Sequence, residues 1–255
     1  MNATVTAAAG GPIDLAQPIE LARPIGFDGG DARHFDAPAP QSAPLTAGDF
    51  TGAVALGASC NCRTITLTPH CHGTHTECVS HLTAEPLDAW RVVPVAPVAA
   101  WVVTVTPAPL VTDRVVTRAV LDAAWPTTAA PVSPLALIVR TACGDTDQDD
   151  GAVPPYFTAD ATEALVARGI AHLVLDLPSL DRVQDEGRLA AHRVFFGLPP
   201  ASRRLADATR PHATITELAR IPAALSDGPC ALAWQVPAIA GDAVPSRPLA
   251  YRYRA

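Results

Sequence analysis

The 255-residue sequence predicts an α/β fold: a single domain with a mixed β-sheet or barrel-like core and few helices. Three observations predict it. A helical pattern over Thr158 to Gly169 runs directly into a strand pattern over Ile170 to Leu177, the succession expected of a crossover unit. The apolar runs Val98 to Val105 and Leu135 to Thr141 have the length and β-branched content of buried strands. A chain of this length can also close one sizeable core.

The elements follow in order. The first sixty residues are rich in Pro, Gly and Ala with little periodicity, which reads as short strands and loops. Val92 to Val111 is the least polar stretch and carries no charge, but Pro94, Pro97, Pro107 and Pro109 break it. It therefore cannot span a bilayer and leaves Val98 to Val105 as a strand. Leu135 to Thr141 ends at an acidic, solvent-facing loop, Cys143 to Gly151. Thr158 is placed to cap the next helix, with Asp160 in the first turn and Ala161, Ala164 and Leu165 on one face. Arg168 falls in its last turn and Gly169 stops it.

The strand after it delivers Ser179 and Asp181 to a strand end, where functional loops collect. Glu186 to Phe196 reads as a helix with Leu189, His192 and Phe196 on one face and Gly197 as the stop. Later strands are predicted at Ala213 to Leu218, Ala231 to Val236 and Leu249 to Arg254. No internal repeat of solenoid period is present.

The chain has no lysine and a net charge of -7, which leaves no basic stripe of the kind nucleic acid requires. Met1 to Gly11 carries no basic segment ahead of an apolar one, so a signal peptide is not predicted. The expectation is a cytoplasmic protein with neither nucleic acid nor membrane as partner, whose six cysteines are reduced thiols or ligands.

Pro69 to His81 gathers four of the eight histidines, two of the six cysteines and Glu77. Sulfur, imidazole and carboxylate at such density are the donors of a divalent transition-metal site. In a regular strand Cys71, His75, Glu77 and His81 would share a face, but Cys71 and His75 would stand roughly 13 Å apart. In a helix Cys71 and His75 align while Glu77 points away. Gly73 offers the bend that neither element supplies. An irregular, Gly-hinged loop tied to flanking strands is expected.

The order of these residues resembles the signature of the cyclase family of metal-dependent hydrolases, which includes bacterial kynurenine formamidases and isatin hydrolases: H-x-G-T-H-x-D-x-P-x-H. Aligned on Gly73-Thr74-His75, it has Cys71 at the first histidine, Glu77 at the aspartate, Val79 at the proline and His81 at the last histidine. Asp176-Leu177-Pro178-Ser179-Leu180-Asp181 with the later His192 is similar to the family's D-x-x-S-x-D segment and following histidine. Thr214 to Leu218 resembles the strand bearing its late glutamate, Glu217, and Arg140-Thr141 resembles the pair ending a central strand. The likeness extends from about Ile13 to about Pro237.

The resemblance implies a swivelling β/β/α fold and a homodimer or homotetramer. It further implies a hydrolase acting on a small amide, with N-formylkynurenine and isatin-type rings as the substrate models. One or two divalent ions, zinc first and manganese second, are expected on Cys71, His75, Glu77, His192 and Glu217, with Glu77 or Glu217 bridging. A bound cation lowers the pKa of water towards neutrality. His81 takes the proton-transfer role, which an imidazole with pKa near about 6.5 suits. A thiolate at Cys71 would favour zinc and move the activity optimum upward, while His72 is the fallback ligand. The other function class is a non-hydrolytic cyclase, or a metal-binding module whose chemistry has lapsed.

Plainer roles are expected elsewhere. Cys78, Cys143 and Cys230 read as packing, His70 and His72 as solvent-facing or outer groups, and His172 as a core histidine. Cys60 and Cys62 have no partner pair at zinc-finger spacing, and His34 and His212 lack motif support. Phe195, Phe196 and Trp90 are candidates to line a substrate pocket, whereas Trp101 reads as core.

Overall fold

The two apolar runs lie side by side at the centre of a nine-stranded sheet. The computed structural model describes residues 4–7, 11–28, 34–126, 133–142 and 153–254; the acidic loop with Cys143 lies outside them. The strands of the large sheet, in chain order, are β1 (Ile19–Glu20), β2 (His75–Glu77), β3 (Val98–Val105), β4 (Ala136–Thr141), β5 (His172–Leu175), β6 (Thr214–Glu217), β7 (Gly228–Gln235), β8 (Ala243–Pro245) and β9 (Arg247–Tyr251). Their spatial order is β8-β2-β6-β5-β4-β3-β7-β9-β1. Strands β3 to β6 run parallel, and the outer strands pair antiparallel. The sheet is thus mixed and curled into a half-barrel.

Parallel neighbours require crossovers, and three helices supply them: α2 (Arg118–Ala124), α3 (Ala159–Ala167) and α4 (Ala190–Phe196). Together with the short α1 (Ala89–Val92), they are the four α-helices of the described residues. Leu121, Leu165 and Phe195 from the crossover helices meet Leu137, Val139, Leu173 and Ile215 in one core. The alternate residues Ile138 and Val174 face the other way, against Trp234, Ile221 and Leu225. Both sides of the central strands are therefore buried, which is why those strands read as continuous apolar runs. No helix among the described residues is long and apolar enough to cross a membrane.

Strand β3 matches its predicted bounds, while α4 begins four residues late. The Asp185 carboxylate accepts the N–H groups of Gly187 and Leu189, and Glu186, Gly187 and Leu189 all have positive φ. That side-chain turn displaces the first helical turn. Thr158 does occupy the cap position of α3, but its hydroxyl bonds the Val116 carbonyl and Asp160 instead of a helix N–H.

His172 is the expected core histidine, beside the Thr214 hydroxyl at 2.9 Å with its ring edge-on to Trp234. Burial, helped by the charges of His212 and Arg210, lowers its pKa to about 4. The folded value lies below the unfolded one, so the stability tied to a neutral ring is intact above about pH 6.5 and is lost as the pH falls towards 4. Denaturant titrations at pH 7.0 and 4.5 should show about 2–3 kcal/mol of this loss in the native protein and none of it in His172→Asn. Equal acid sensitivity in both would reject the assignment.

Candidate metal centre

Strand β2 contributes three residues, and its period of two sends His75 and Glu77 to one face and Thr76 to the other. Its antiparallel pairing with β6 sets His75 opposite Glu217 and Glu77 opposite Ile215. On the reverse face Thr76, Thr216, Ser246 and the Trp234 indole N–H form a chain of buried hydrogen bonds that fixes this register. Gly73, at φ +71°, makes the bend before β2; a Cβ there would stand 2.8 Å from Ile25 Cγ1. The hinge expected of Gly73 is present, but it leads into a true strand.

Two short 3-10 turns, Pro69–Cys71 and Val79–His81, flank that strand. The first decides which side chain reaches the centre. At three residues per turn, successive side chains diverge by about 120°, and His70 is the one aimed at Glu77, its Nδ1 3.2 Å from Oε2. Among the described residues Cys71 joins neither group of converging donors, so the structure does not bring it to the other ligands expected with it. It is buried, and burial alone raises its thiol pKa. The fallback is corrected too: His72 Nδ1 accepts the Thr68 N–H, so Nε2 carries the hydrogen directed at the Pro38 carbonyl. Both its nitrogens are committed to the loop.

The deep part of the centre contains His75, Glu77, His192 and Glu217, all buried. His75 Nε2 lies 3.4 Å from Glu217 Oε2, and His192 Nε2 lies 3.1 Å from Glu77 Oε1 and 3.4 Å from Glu217 Oε1. His75 Nδ1 is 3.3 Å from the Gly73 carbonyl, and His192 Nδ1 is 2.6 Å from Asp181 Oδ2. A carbonyl or carboxylate behind each ring puts the hydrogen on Nδ1 and leaves the Nε2 lone pair facing inward. Asp181 also accepts the N–H groups of Ala191 and His192 at the start of α4, and the Leu180 N–H donates to Glu217 Oε1 at 2.8 Å.

These atoms fit a cation. Among the described residues, His75 Nε2 and both Glu77 oxygens are buried without a hydrogen-bond partner. Leaving a polar group so costs about 1–3 kcal/mol, more for a charged one. Donors bound tetrahedrally at about 2.0–2.2 Å stand about 3.3–3.6 Å from one another, a spacing close to that of the deep group. His75, Glu77 and Glu217 satisfy the convergence a metal ion requires.

The rim is more open. His81 stacks on His70 with ring centroids 4.2 Å apart, and its Nε2 is 3.9 Å from Glu77 Oε2. Asp242 Oδ2 receives both rings, His70 Nε2 at 2.9 Å and His81 Nδ1 at 3.2 Å. Burial opposes a charge on His70, but the hydrogen bond to Asp242 and the Glu77 carboxylate beside the ring outweigh it and raise its pKa to about 10. His192 is also raised, burial being outweighed by the Glu77 charge and Asp181. Burial works against ionised Glu77 as well, yet the charges of His81 and His192 hold it well below the usual range. The carboxylates therefore draw positive charge onto their neighbours.

Sequence reasoning placed His70 outside the site and missed Asp242. A turn whose phase selects 70 over 71 has no separate sequence signal. Asp242 arrives through the pairing of β8 with β2 and through its own carbonyl, which accepts the Cys78 N–H. Its one mark is the Gly241-Asp242 step ahead of the Ala243-Val244-Pro245 run. The pocket expectation for Phe195 and Phe196 is also corrected: both rings are sealed into the main core, and Arg210 lies over Phe195. Trp90 stays partly exposed, with Arg91 over its ring.

The family model Cyclase, "Putative cyclase", matches residues 13–182. A search of curated proteins gives no match. Among solved structures, a predicted metal-dependent hydrolase from Bacillus stearothermophilus is similar at 16% identity and TM-score 0.61, covering 92% of this chain and 98% of its own. Isatin hydrolase A from Labrenzia aggregata, bound to benzyl benzoate, is similar at 14% identity and TM-score 0.58, covering 93% and 94%. An isatin hydrolase bound to the product analogue thioisatinate gives 14% identity and TM-score 0.56, covering 93% of each chain.

Metal analysis after dialysis separates Cys71 from Glu77 as a ligand. Cys71→Ala should retain the native metal content, whereas Glu77→Gln, nearly equal in shape, should weaken binding by more than the about 10–100-fold typical of outer-shell changes. Loss of metal on removing the Cys71 sulfur would restore the sequence-based ligand set.

Proposed function

The chain belongs to the Cyclase family, and on that premise we propose that it is a metal-dependent hydrolase of a small amide. The substrate class is an aryl formamide such as N-formylkynurenine, or a cyclic amide of the isatin type. One observation carries this reading: buried donors without hydrogen-bond partners among the described residues, His75 Nε2 and the Glu77 carboxylate, converge with Glu217 and His192 beneath a solvent-facing imidazole. The isatin hydrolases of like fold support the cyclic-amide branch.

His75, Glu77, His192 and Glu217 would hold a divalent ion, zinc or manganese by donor type. When bound, the ion supplies the Lewis acidity that activates water for attack on a carbonyl carbon. Everything else falls to side chains of this chain. Glu217 is pinned by the Leu180 N–H and His192 by Asp181, so neither needs to reorganise during turnover. His81 is held through Nδ1 by Asp242, which leaves Nε2 facing the centre to accept a proton from water and pass it to the departing amine. Its side chain is 26% exposed, consistent with a group that must meet both solvent and substrate. Trp90 remains the candidate aromatic contact for an aryl ring.

The metal-loaded protein should hydrolyse at least one of N-formylkynurenine, isatin and simple aryl formamides. In His81→Ala the deep metal should remain while kcat falls by about 10²–10⁴-fold, the range for loss of a general acid–base group. A protein that holds metal and turns over none of these compounds would end the hydrolase reading in favour of a metal-binding or cyclase role.

A further inference from the structure

Helix α4 divides its residues between two faces. Ala191, His192, Phe195 and Phe196 are buried, whereas Ala190, Arg193, Val194 and Gly197, spaced i, i+3, i+4 and i+7, form a stripe on the outer side. The stripe turns away from the centre that His192 serves. The short side chain of Ala190 and the bare Gly197 leave room on either side of Arg193 and Val194. A cavity of about 800 Å³ opens there, between the helix and the turn that follows it. Small-molecule sites span about 300–1,000 Å³.

Arg188, Arg193 and Arg203 line this cavity together with the apolar groups Val194, Leu198 and Pro199. No acid among the described residues does, in a chain of net charge -7. Glu186 pairs with Arg188, but Arg193 and Arg203 have no ion-pair partner among the described residues. The Arg193 guanidinium is also fixed in place. Its Nε donates to the Arg188 carbonyl at 3.2 Å, and its Nη1 donates to the carbonyls of Pro199 and Ser202 at 3.1 and 2.9 Å. Those bonds tie the loop before α4 to the turn after it, so the walls of the cavity are held together by the arginine itself. Its remaining nitrogen, Nη2, makes no hydrogen bond among the described residues. A planar guanidinium held in this way gives up little freedom on meeting an anion.

We propose that this cavity binds a small organic carboxylate with an apolar ring or chain. Arg193 Nη2 and the Arg203 guanidinium serve its two oxygens through charge-assisted hydrogen bonds, and its body lies on Val194, Leu198 and Pro199. A phosphate suits the cavity less, because its further oxygens would face those apolar walls without donors. The site lies on the opposite side of α4 from the metal centre and does not rest on the proposed hydrolase function.

Isothermal titration calorimetry of the full-length protein with benzoate, benzamide and inorganic phosphate tests it. Benzoate should bind native protein at one equivalent. Benzamide, alike in shape but uncharged, and inorganic phosphate, which has no apolar body, should each bind at least about 10-fold more weakly. Arg193→Gln should weaken benzoate by about 10–100-fold. Because Arg193 also braces the turn, Arg203→Glu at an exposed position provides a second variant, and it should weaken benzoate by at least about 10-fold. Thermal melts confirm that both are folded. Glu77→Gln, on the far side of the helix, should leave benzoate affinity within about twofold of native. No benzoate binding, benzamide binding as tight as benzoate, or unchanged affinity in both folded arginine variants would overturn the site. Inorganic phosphate binding as tightly as benzoate would overturn the choice of ligand. Binding lost in Glu77→Gln and kept in the arginine variants would move the ligand to the metal centre and overturn the proposal. Arginine-dependent benzoate binding by a protein that hydrolyses no amide would sustain the site and reject the hydrolase function instead.

Discussion

Glu77 is fully buried at the end of a three-residue strand, and neither of its oxygens has a hydrogen-bond partner among the described residues. An ionised carboxylate in that position is expensive unless positive charge is brought to it. Much of the surrounding structure is arranged to bring it. Strand β2 is clamped between β6 and β8, hydroxyl groups fix its register from behind, and 3-10 turns on either side aim His70 and His81 at the same acid. His192 reaches it from a helix that starts on the Asp181 carboxylate. Protons on the histidines can balance the charge, and a divalent cation can balance it better because it also satisfies the unpaired His75 nitrogen.

The position of the centre follows from the sheet. Glu217 ends β6, the last of four parallel strands, and Asp181 follows β5 by a short loop, so both arrive at the carboxyl ends of the parallel set. Open α/β sheets place ligand sites at that edge. Antiparallel β2 then runs back along β6 and sets His75 directly opposite Glu217, with Glu77 two residues on along the same face. The mixed character of the sheet is thus functional: a further parallel strand would present its residues in a different register to Glu217 and would need another crossover.

The fold was largely legible because its central strands are buried on both faces and read as plain apolar runs. The start of α4 was not, since a side-chain turn on Asp185 competes with helix where composition favours helix. Of the ligands expected, His75 and Glu77 were read from residue type and spacing and His192 and Glu217 from the family likeness, and the structure brings these four side chains near one another. Cys71 and His70 exchanged places because the choice depends on the phase of a single 3-10 turn. Asp242 was invisible for a different reason: its approach depends on pairing between strands far apart in the chain, which no local spacing encodes.

The three departures from the family pattern can be understood together. An aspartate at 77 would hold its carboxylate back by one carbon–carbon bond, about 1.5 Å. Glu77 uses that extra length to approach His192 with one oxygen and His70 with the other, and so spans the deep and rim groups at once. With the carboxylate extended, an imbalance arises on the rim side, and an imidazole one residue earlier than the usual ligand is the group that meets it. The residue at 71 is then free to turn inward, and Cys71 is found buried. Val79, in place of proline, retains a backbone N–H and sits buried in the main core, where it anchors the turn that carries His81. A longer acid, a shifted imidazole and a retired ligand position are in this sense one adjustment, made around a single buried charge.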